Sequence, residues 1–148
     1  MLCPKCNENM VLETIKGFEV EQCPQCKGHW LDRVTVSGIL DQTGSPFAAA
    51  AFETSLSQLA RRDTDLACPH CEEGHLACAE LQGVGVEICA TCLGIFFDLG
   101  EVGAVRAVGA DRSWDTLRKD AFGTAGELAT NPEVILEILL RIVVAALR

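Results

Sequence analysis

The sequence has no tyrosine, only five prolines, and no low-complexity run long enough to leave most of the chain unfolded. Basic residues are scarce: twelve Lys and Arg face 21 Asp and Glu, for a formal charge of −9. The only adjacent basic pairs are Arg61-Arg62 and Arg118-Lys119. A surface that neutralises phosphates needs clustered cations, so nucleic acid is disfavoured as a partner. The N-terminus, Met1-Leu2-Cys3-Pro4, has neither a charged nor an apolar leader region, so no removable signal is expected there. No uninterrupted apolar run reaches the roughly 20 residues of a membrane-spanning helix. There is no nucleophile–base motif and no glycine loop of the phosphate-cradling kind, so no enzymatic activity is expected.

Against these absences stand nine cysteines, with nearly half of the 148 residues apolar. Eight of the cysteines form four Cys-x-x-Cys pairs, Cys3/Cys6, Cys23/Cys26, Cys68/Cys71 and Cys89/Cys92. The first two pairs are separated by 16 residues and the last two by 17. Further matches join the two units: Pro4 with Pro69, Gly17 with Gly83, Val20-Glu21 with Val86-Glu87, Gly28 with Gly94, Trp30 with Phe96, and Asp32 with Asp98. Agreement at so many positions indicates an internal duplication.

Two thiolates separated by two residues converge on one point only where the chain turns sharply. Proline after the first cysteine, and Gly or Asn just after the second, favour that turn. Two such turns facing each other across a hairpin make a tetrahedral four-sulfur site, for which zinc is the default metal and iron the alternative. A ribbon of about 40 residues cannot bury enough apolar surface to fold alone. A structural zinc contributes on the order of 10–16 kcal/mol of apparent binding energy, against about 2–4 kcal/mol for a disulfide. Two zinc ions per chain are therefore expected, one on Cys3, Cys6, Cys23 and Cys26 and the other on Cys68, Cys71, Cys89 and Cys92. Cross-braced pairing between units is the alternative; duplication with a hairpin inside each copy favours the sequential one. Such thiol chemistry fits a reducing, cytoplasmic compartment.

The expected fold is a small α+β protein. Ribbon 1 covers residues 1–40, a helical connector 41–66, ribbon 2 residues 67–109, and a helical tail 110–148. Within the ribbons, Phe18 and Val20 alternate with Glu19 and Glu21, and Val84, Val86 and Ile88 share one face, so each copy carries a short hairpin. After Asp98 the spacing to Glu101 is that of a capping box, leading into Val102, Val105 and Val108. In the connector Ser45 and Pro46 open a helix with Phe47, Phe52, Leu56 and Leu59 on one stripe as far as Arg62. A short helix with Trp114, Leu117 and Phe122 is expected from Ser113.

The C-terminal segment starts at Asn131-Pro132 and is apolar but for one stripe of Glu133, Glu137 and Arg141 at helical spacing. A helix so apolar needs a cover, and residues 132–147 are expected to join a protein partner or a second copy. Association with a membrane surface is less favoured, since the segment lacks a basic face. The remaining residues of interest have structural readings. His29, His70 and His75 have no histidine counterparts across the repeat, and Cys78 reads as a small apolar strand residue. Trp30, Leu31, Phe96 and Phe97 are expected in the core beside the metals.

The run Cys23-Pro-Gln-Cys26-Lys-Gly28-His-Trp30-Leu31-Asp32 resembles the bacterial zinc-ribbon family named after transcription factor IIB. The second copy, Cys89-Ala-Thr-Cys92-Leu-Gly94-Ile-Phe96-Phe97-Asp98-Leu-Gly100-Glu101, is similar and keeps the Gly-Glu ending of the family. The first has Val34-Thr35 there, so its helix is expected to begin differently. The resemblance covers roughly residues 1–40 and 67–106 and implies zinc on the eight paired cysteines. The functional expectation is a non-enzymatic zinc-binding adaptor. The alternatives are a thiol redox sensor that releases zinc on oxidation and, from the family name, a transcription-related or nucleic-acid-binding ribbon. Native mass spectrometry of the purified protein should find two zinc ions per chain in a colourless sample. A single metal, or the visible absorption of a four-sulfur iron site, would contradict the zinc assignment.

Overall fold

The computed structural model of the chain describes residues 1–15, 17–41, 50, 53–54, 58, 60–81 and 84–98. They form seven strands and one complete helix: β1 (Val11–Ile15), β2 (Phe18–Gln22), β3 (His29–Leu31), α1 (Arg33–Asp41), β4 (Arg61–Ala67), β5 (His75–Leu81), β6 (Val84–Cys89) and β7 (Ile95–Phe97). In each ribbon a hairpin follows the first cysteine pair, and a three-residue strand follows the second. Gly17, with φ of 88°, supplies the left-handed backbone for the turn between β1 and β2.

The two ribbons are not separate beads. All seven strands join one antiparallel sheet in the order β1-β2-β3-β7-β6-β5-β4. The junction is β3 against β7, where Trp30 lies opposite Phe96, its own counterpart in the repeat, flanked by His29 opposite Phe97 and Leu31 opposite Ile95. This register is that of a two-fold axis through the Trp30–Phe96 pair. A duplicated chain thus reproduces within itself the interface of a symmetric dimer.

The pleat divides the apolar residues between two faces. Trp30, Phe96, Leu76 and Met10 form one buried cluster with the cysteines. Leu31, Ile95, Phe97, Val20, Val86 and Ile88, all at 0% exposure, point the other way along their strands. All four residues expected in the core are buried, but only Trp30 and Phe96 lie beside the metal groups; Leu31 and Phe97 face the other side of the sheet.

Gly28 and Gly94 have a role that the sequence reading did not assign. A Cβ on Gly28 would sit 2.3 Å from Cζ of Phe96, and one on Gly94 would sit 2.1 Å from Cζ2 of Trp30. Each ribbon's aromatic therefore lies on the glycine of the other ribbon's knuckle. The left-handed turn residues are instead Asn7, Lys27 and Leu93, at φ of 57–59°.

α1 begins straight after β3 because Asp32 caps it: Oδ1 accepts from the Thr35 amide at 2.7 Å. The change from Gly-Glu to Val34-Thr35 leaves this cap intact. The helix lies against β2, with the Thr35 hydroxyl donating to the Glu19 carbonyl at 3.2 Å.

The connector differs from its expected all-helical form. Ala50, Glu53, Thr54 and Gln58 are helical, and Glu53 accepts a 2.6 Å ion pair from Arg33 of α1. Arg61–Ala67, however, is strand, pairing antiparallel with β5. The outer backbone groups of β5 need partners, and the alternation of this segment suits a sheet edge better than a helix. Thr64 reinforces it by donating to the Leu76 carbonyl at 2.6 Å. The second ribbon's sheet therefore starts six residues before the expected boundary at 67. The stripe Phe47, Phe52, Leu56 and Leu59, the helices expected after Asp98 and from Ser113, and the apolar segment 132–147 lie outside the described residues.

Gly94→Ala should force Trp30 off its seat and destabilise the fold by about 1–3 kcal/mol, the usual cost of overpacking. Chemical denaturation of the zinc-loaded protein measures this, and Gln58→Ala, at an exposed helical position, is the control.

Candidate metal centres

Each metal group is assembled from two knuckles. In three of them, backbone bonds repeat. The amide of the first cysteine donates to a carbonyl five residues on: Cys3 to Glu8 at 2.8 Å, and Cys23 to Gly28 and Cys89 to Gly94 at 2.9 Å. The amides of Asn7, Lys27 and Leu93 return to the carbonyls of Cys3, Cys23 and Cys89 at 3.0 Å. The fourth knuckle is one residue longer, and Cys68 donates to Gly74 at 2.7 Å. That extra residue accounts for the 17-residue gap in the second unit.

These turns bring all eight expected ligands into two groups, Cys3, Cys6, Cys23 and Cys26, and Cys68, Cys71, Cys89 and Cys92, with the ligand atoms of each group within 4.8 Å of one another. The pairing is sequential and not cross-braced. A zinc about 2.3 Å from four tetrahedral sulfurs implies sulfur–sulfur edges of about 3.8 Å. The edges include Cys3–Cys26 at 3.6 Å, Cys6–Cys23 at 3.3 Å, Cys68–Cys92 at 3.7 Å and Cys71–Cys89 at 3.9 Å. All nine cysteines are free thiols. The donor set fits zinc, and each group is positioned to hold one ion. The first cysteine of every pair is buried and the second half-buried, so each site has a closed side and a side near the surface.

The thiols within a group are not equivalent. Burial pushes Cys3 up to about 12 and Cys68 up to about 11, and it raises Cys26 and Cys92 as well. For Cys23 burial acts in the same direction, but the amides of Cys26 and Gln25 and the thiol of Cys6 outweigh it and bring the group down to about 7. Cys89, its counterpart, is lowered in the same manner, with burial opposed by the amides of Cys92 and Thr91. Within each group one thiol, Cys23 or Cys89, is thus eased toward ionisation, while two others, Cys3 and Cys26 or Cys68 and Cys92, are held against it by burial and must give up their protons to a dication.

The sites are tied together across the seam. Lys5, the variable residue between Cys3 and Cys6, extends into the other ribbon, where Nζ lies 2.8 Å from Asp98 and 3.3 Å from Glu87. It also sits 5.7 Å from the centre of the Phe96 ring. The sequence reading missed this contact. Its signal was the repeated acids Glu21/Glu87 and Asp32/Asp98, which read separately as strand and cap residues. Asp98 pairs with Lys5 through its carboxylate, and the helix it is expected to cap lies outside the described residues.

The other candidate residues lie apart from the metals. His29 is in β3, with Nε2 2.9 Å from the side-chain amide of Gln22, while His70 and His75 are exposed. Cys78 is half-buried in β5, outside both groups, and 3.9 Å from the Arg62 guanidinium.

Because metal must displace protons from thiols raised by burial, its affinity should rise with pH and be lost as pH falls. At least two displaced protons per site imply a drop of about a hundredfold in apparent zinc affinity per pH unit, measured by chelator competition between about pH 8 and 6. A flat profile over that range would contradict these protonation states.

A family model described as transcription factor zinc-finger matches residues 2–41 and 67–105, together more than half of the chain. No curated protein and no solved structure matches the chain.

Proposed function

The chain belongs to the transcription factor zinc-finger family, and on that premise we propose that it is a non-enzymatic adaptor: two structural zincs hold a rigid double ribbon whose outer surfaces receive a protein partner. The observation that carries this reading is the closure of both metal groups. Four thiolates fill a tetrahedron, so neither site offers a position to water or substrate. Both sets pack into one core with Trp30 and Phe96, which makes the metals part of the scaffold.

Charge and exposure support the rest of the reading. At −9 the protein repels phosphate, which weighs against nucleic acid. Among the described residues no helix is long and apolar enough to cross a membrane. Exposed large apolar side chains collect on the first ribbon at Met1, Leu2, Val11 and Leu12, with Val34 on α1. The apolar sequence of residues 132–147 offers a second contact, for another copy or a larger assembly. A reducing, cytoplasmic setting belongs to the same reading, since it keeps the thiols available for metal.

Size-exclusion chromatography with light scattering tests the contact through the tail. Full-length protein should run as an assembly, and deletion of residues 131–148 should return it to a monomer that still carries two zincs. Unchanged mass after the deletion would remove the tail from this reading.

A further inference from the structure

The duplication allows each strand to be compared with its twin, and one difference stands out at the sheet edges. β5 and β1 are counterparts: Ala77, Cys78 and Ala79 face β6 in the same register in which Val11, Leu12 and Glu13 face β2. β5 is covered on its outer side by β4. Along β1, no strand among the described residues takes that place; Val11 is 53% exposed against 7% for its counterpart Ala77, and Leu12 is 53% exposed where its counterpart Cys78 is half-buried.

Among the described residues, no strand pairs with the outer edge of β1. Its hairpin closes on Ile15 and Phe18, so the pairs Glu13–Val20 and Val11–Gln22 also exchange their ladder bonds inward. Alternation then turns the amides and carbonyls of Leu12 and Thr14 outward. Met10 obeys the same alternation: its amide donates to the Met1 carbonyl at 2.9 Å, and Leu2 bridges Asn9. The second ribbon repeats that bridge where Ala67 faces His75, and there the pairing continues upward through β4.

We propose that the outer edge of β1 is a docking site for an extended segment of a partner protein carrying adjacent basic residues, added antiparallel as a further strand. The proposal rests on the adaptor reading and names the chemistry of the partner. The second ribbon shows the fitting pattern. Arg62, Cys78, Glu87 and Phe96 form one row across the sheet, and the matching row in the first ribbon runs Leu12, Glu21 and Trp30, with no described residue in the place of Arg62. In the next row Arg61 faces Ala79, whereas the first ribbon has the exposed carboxylate of Glu13. Two consecutive cations in that order would set one beside Leu12, within reach of Glu21, and the other against Glu13. Exposed Glu19, across from Thr14, adds to the negative edge. Opposite charges across a strand pair are favourable and like charges are not, so Glu13 also disfavours a second copy of β1 paired about that residue. The mode is strand addition, in which main-chain bonds supply affinity and alternate side chains supply specificity.

The test uses the full zinc-loaded chain and a fluorescein-labelled ten-residue peptide in which Arg-Arg is flanked by alternating Val and Thr, read by anisotropy. Saturable binding is expected, at least tenfold weaker for the peptide with Glu-Glu in place of Arg-Arg. Leu12→Pro, which removes an outward amide only, and Glu13→Lys, at an exposed position, should each weaken binding tenfold or more with two zincs retained. Absence of binding, or binding indifferent to Glu13→Lys, overturns the proposal. So does a dimer that Leu12→Pro converts to monomer, since the edge then belongs to a second copy. If the peptide fails to bind while tail-dependent assembly persists, the adaptor reading survives and this site does not.

Discussion

Everything in the described part of this protein depends on bringing four sulfurs together at edges of about 3.8 Å, twice. No apolar core of this size could impose such a geometry, and four ionised thiols left to themselves would repel one another. The knuckles meet part of the cost with oriented amides. The Cys26 amide donates to the Cys23 sulfur at 3.4 Å, so negative charge there meets an N–H dipole before it meets the metal, and the Cys71 amide stands ready in the same way 3.3 Å from the Cys68 sulfur. The dication does the rest, which is why so few residues can hold a defined fold.

The metal geometry in turn sets where the aromatics can go. A knuckle that closes on a sulfur cluster presents a flat backbone surface at Gly28 or Gly94, and the ring of the opposite ribbon lies on it. Trp30 and Phe96 are thus held by each other's metal site, and the β3–β7 seam joins two small modules into one seven-stranded sheet. Lys5 fastens the same seam from within the first metal knuckle by pairing with Glu87, which is only 8% exposed. Each ribbon alone would leave an apolar ring and a strand edge in water. Together they remove both.

The duplication is strict where the seam requires it and relaxed where it does not. Register is preserved from β1 and β5 through β3 and β7, because a slip of one residue would turn the aromatics away from the glycines. The variable knuckle residue is Lys5 in one copy and His70 in the other, and among the described residues the outer edge carries a further strand in only one of the two. Function in such a molecule is to be sought at these asymmetric places, since the symmetric ones are occupied in holding the fold.

The ligand set, its sequential pairing, the hairpins and the metal were all legible in the sequence, because Cys-x-x-Cys spacing, turn residues and strand alternation are local and the duplication stated them twice. A helix behind Asp32 was expected from the duplication, though not its cap: it was expected to begin differently from the second copy's, whereas Asp32 itself caps it. What only the tertiary structure decided is non-local. Arg61–Ala67 became a strand because β5 offered it a ladder, against a local pattern that read as helix up to Arg62. Gly28 and Gly94 proved to be seats for distant rings and not the left-handed turn residues, a role that falls to Asn7, Lys27 and Leu93. Lys5 found its partners more than eighty residues away. Spacing along the chain determined which atoms could meet a metal; which ribbon met which was decided by the surfaces that each, once folded, had left to bury.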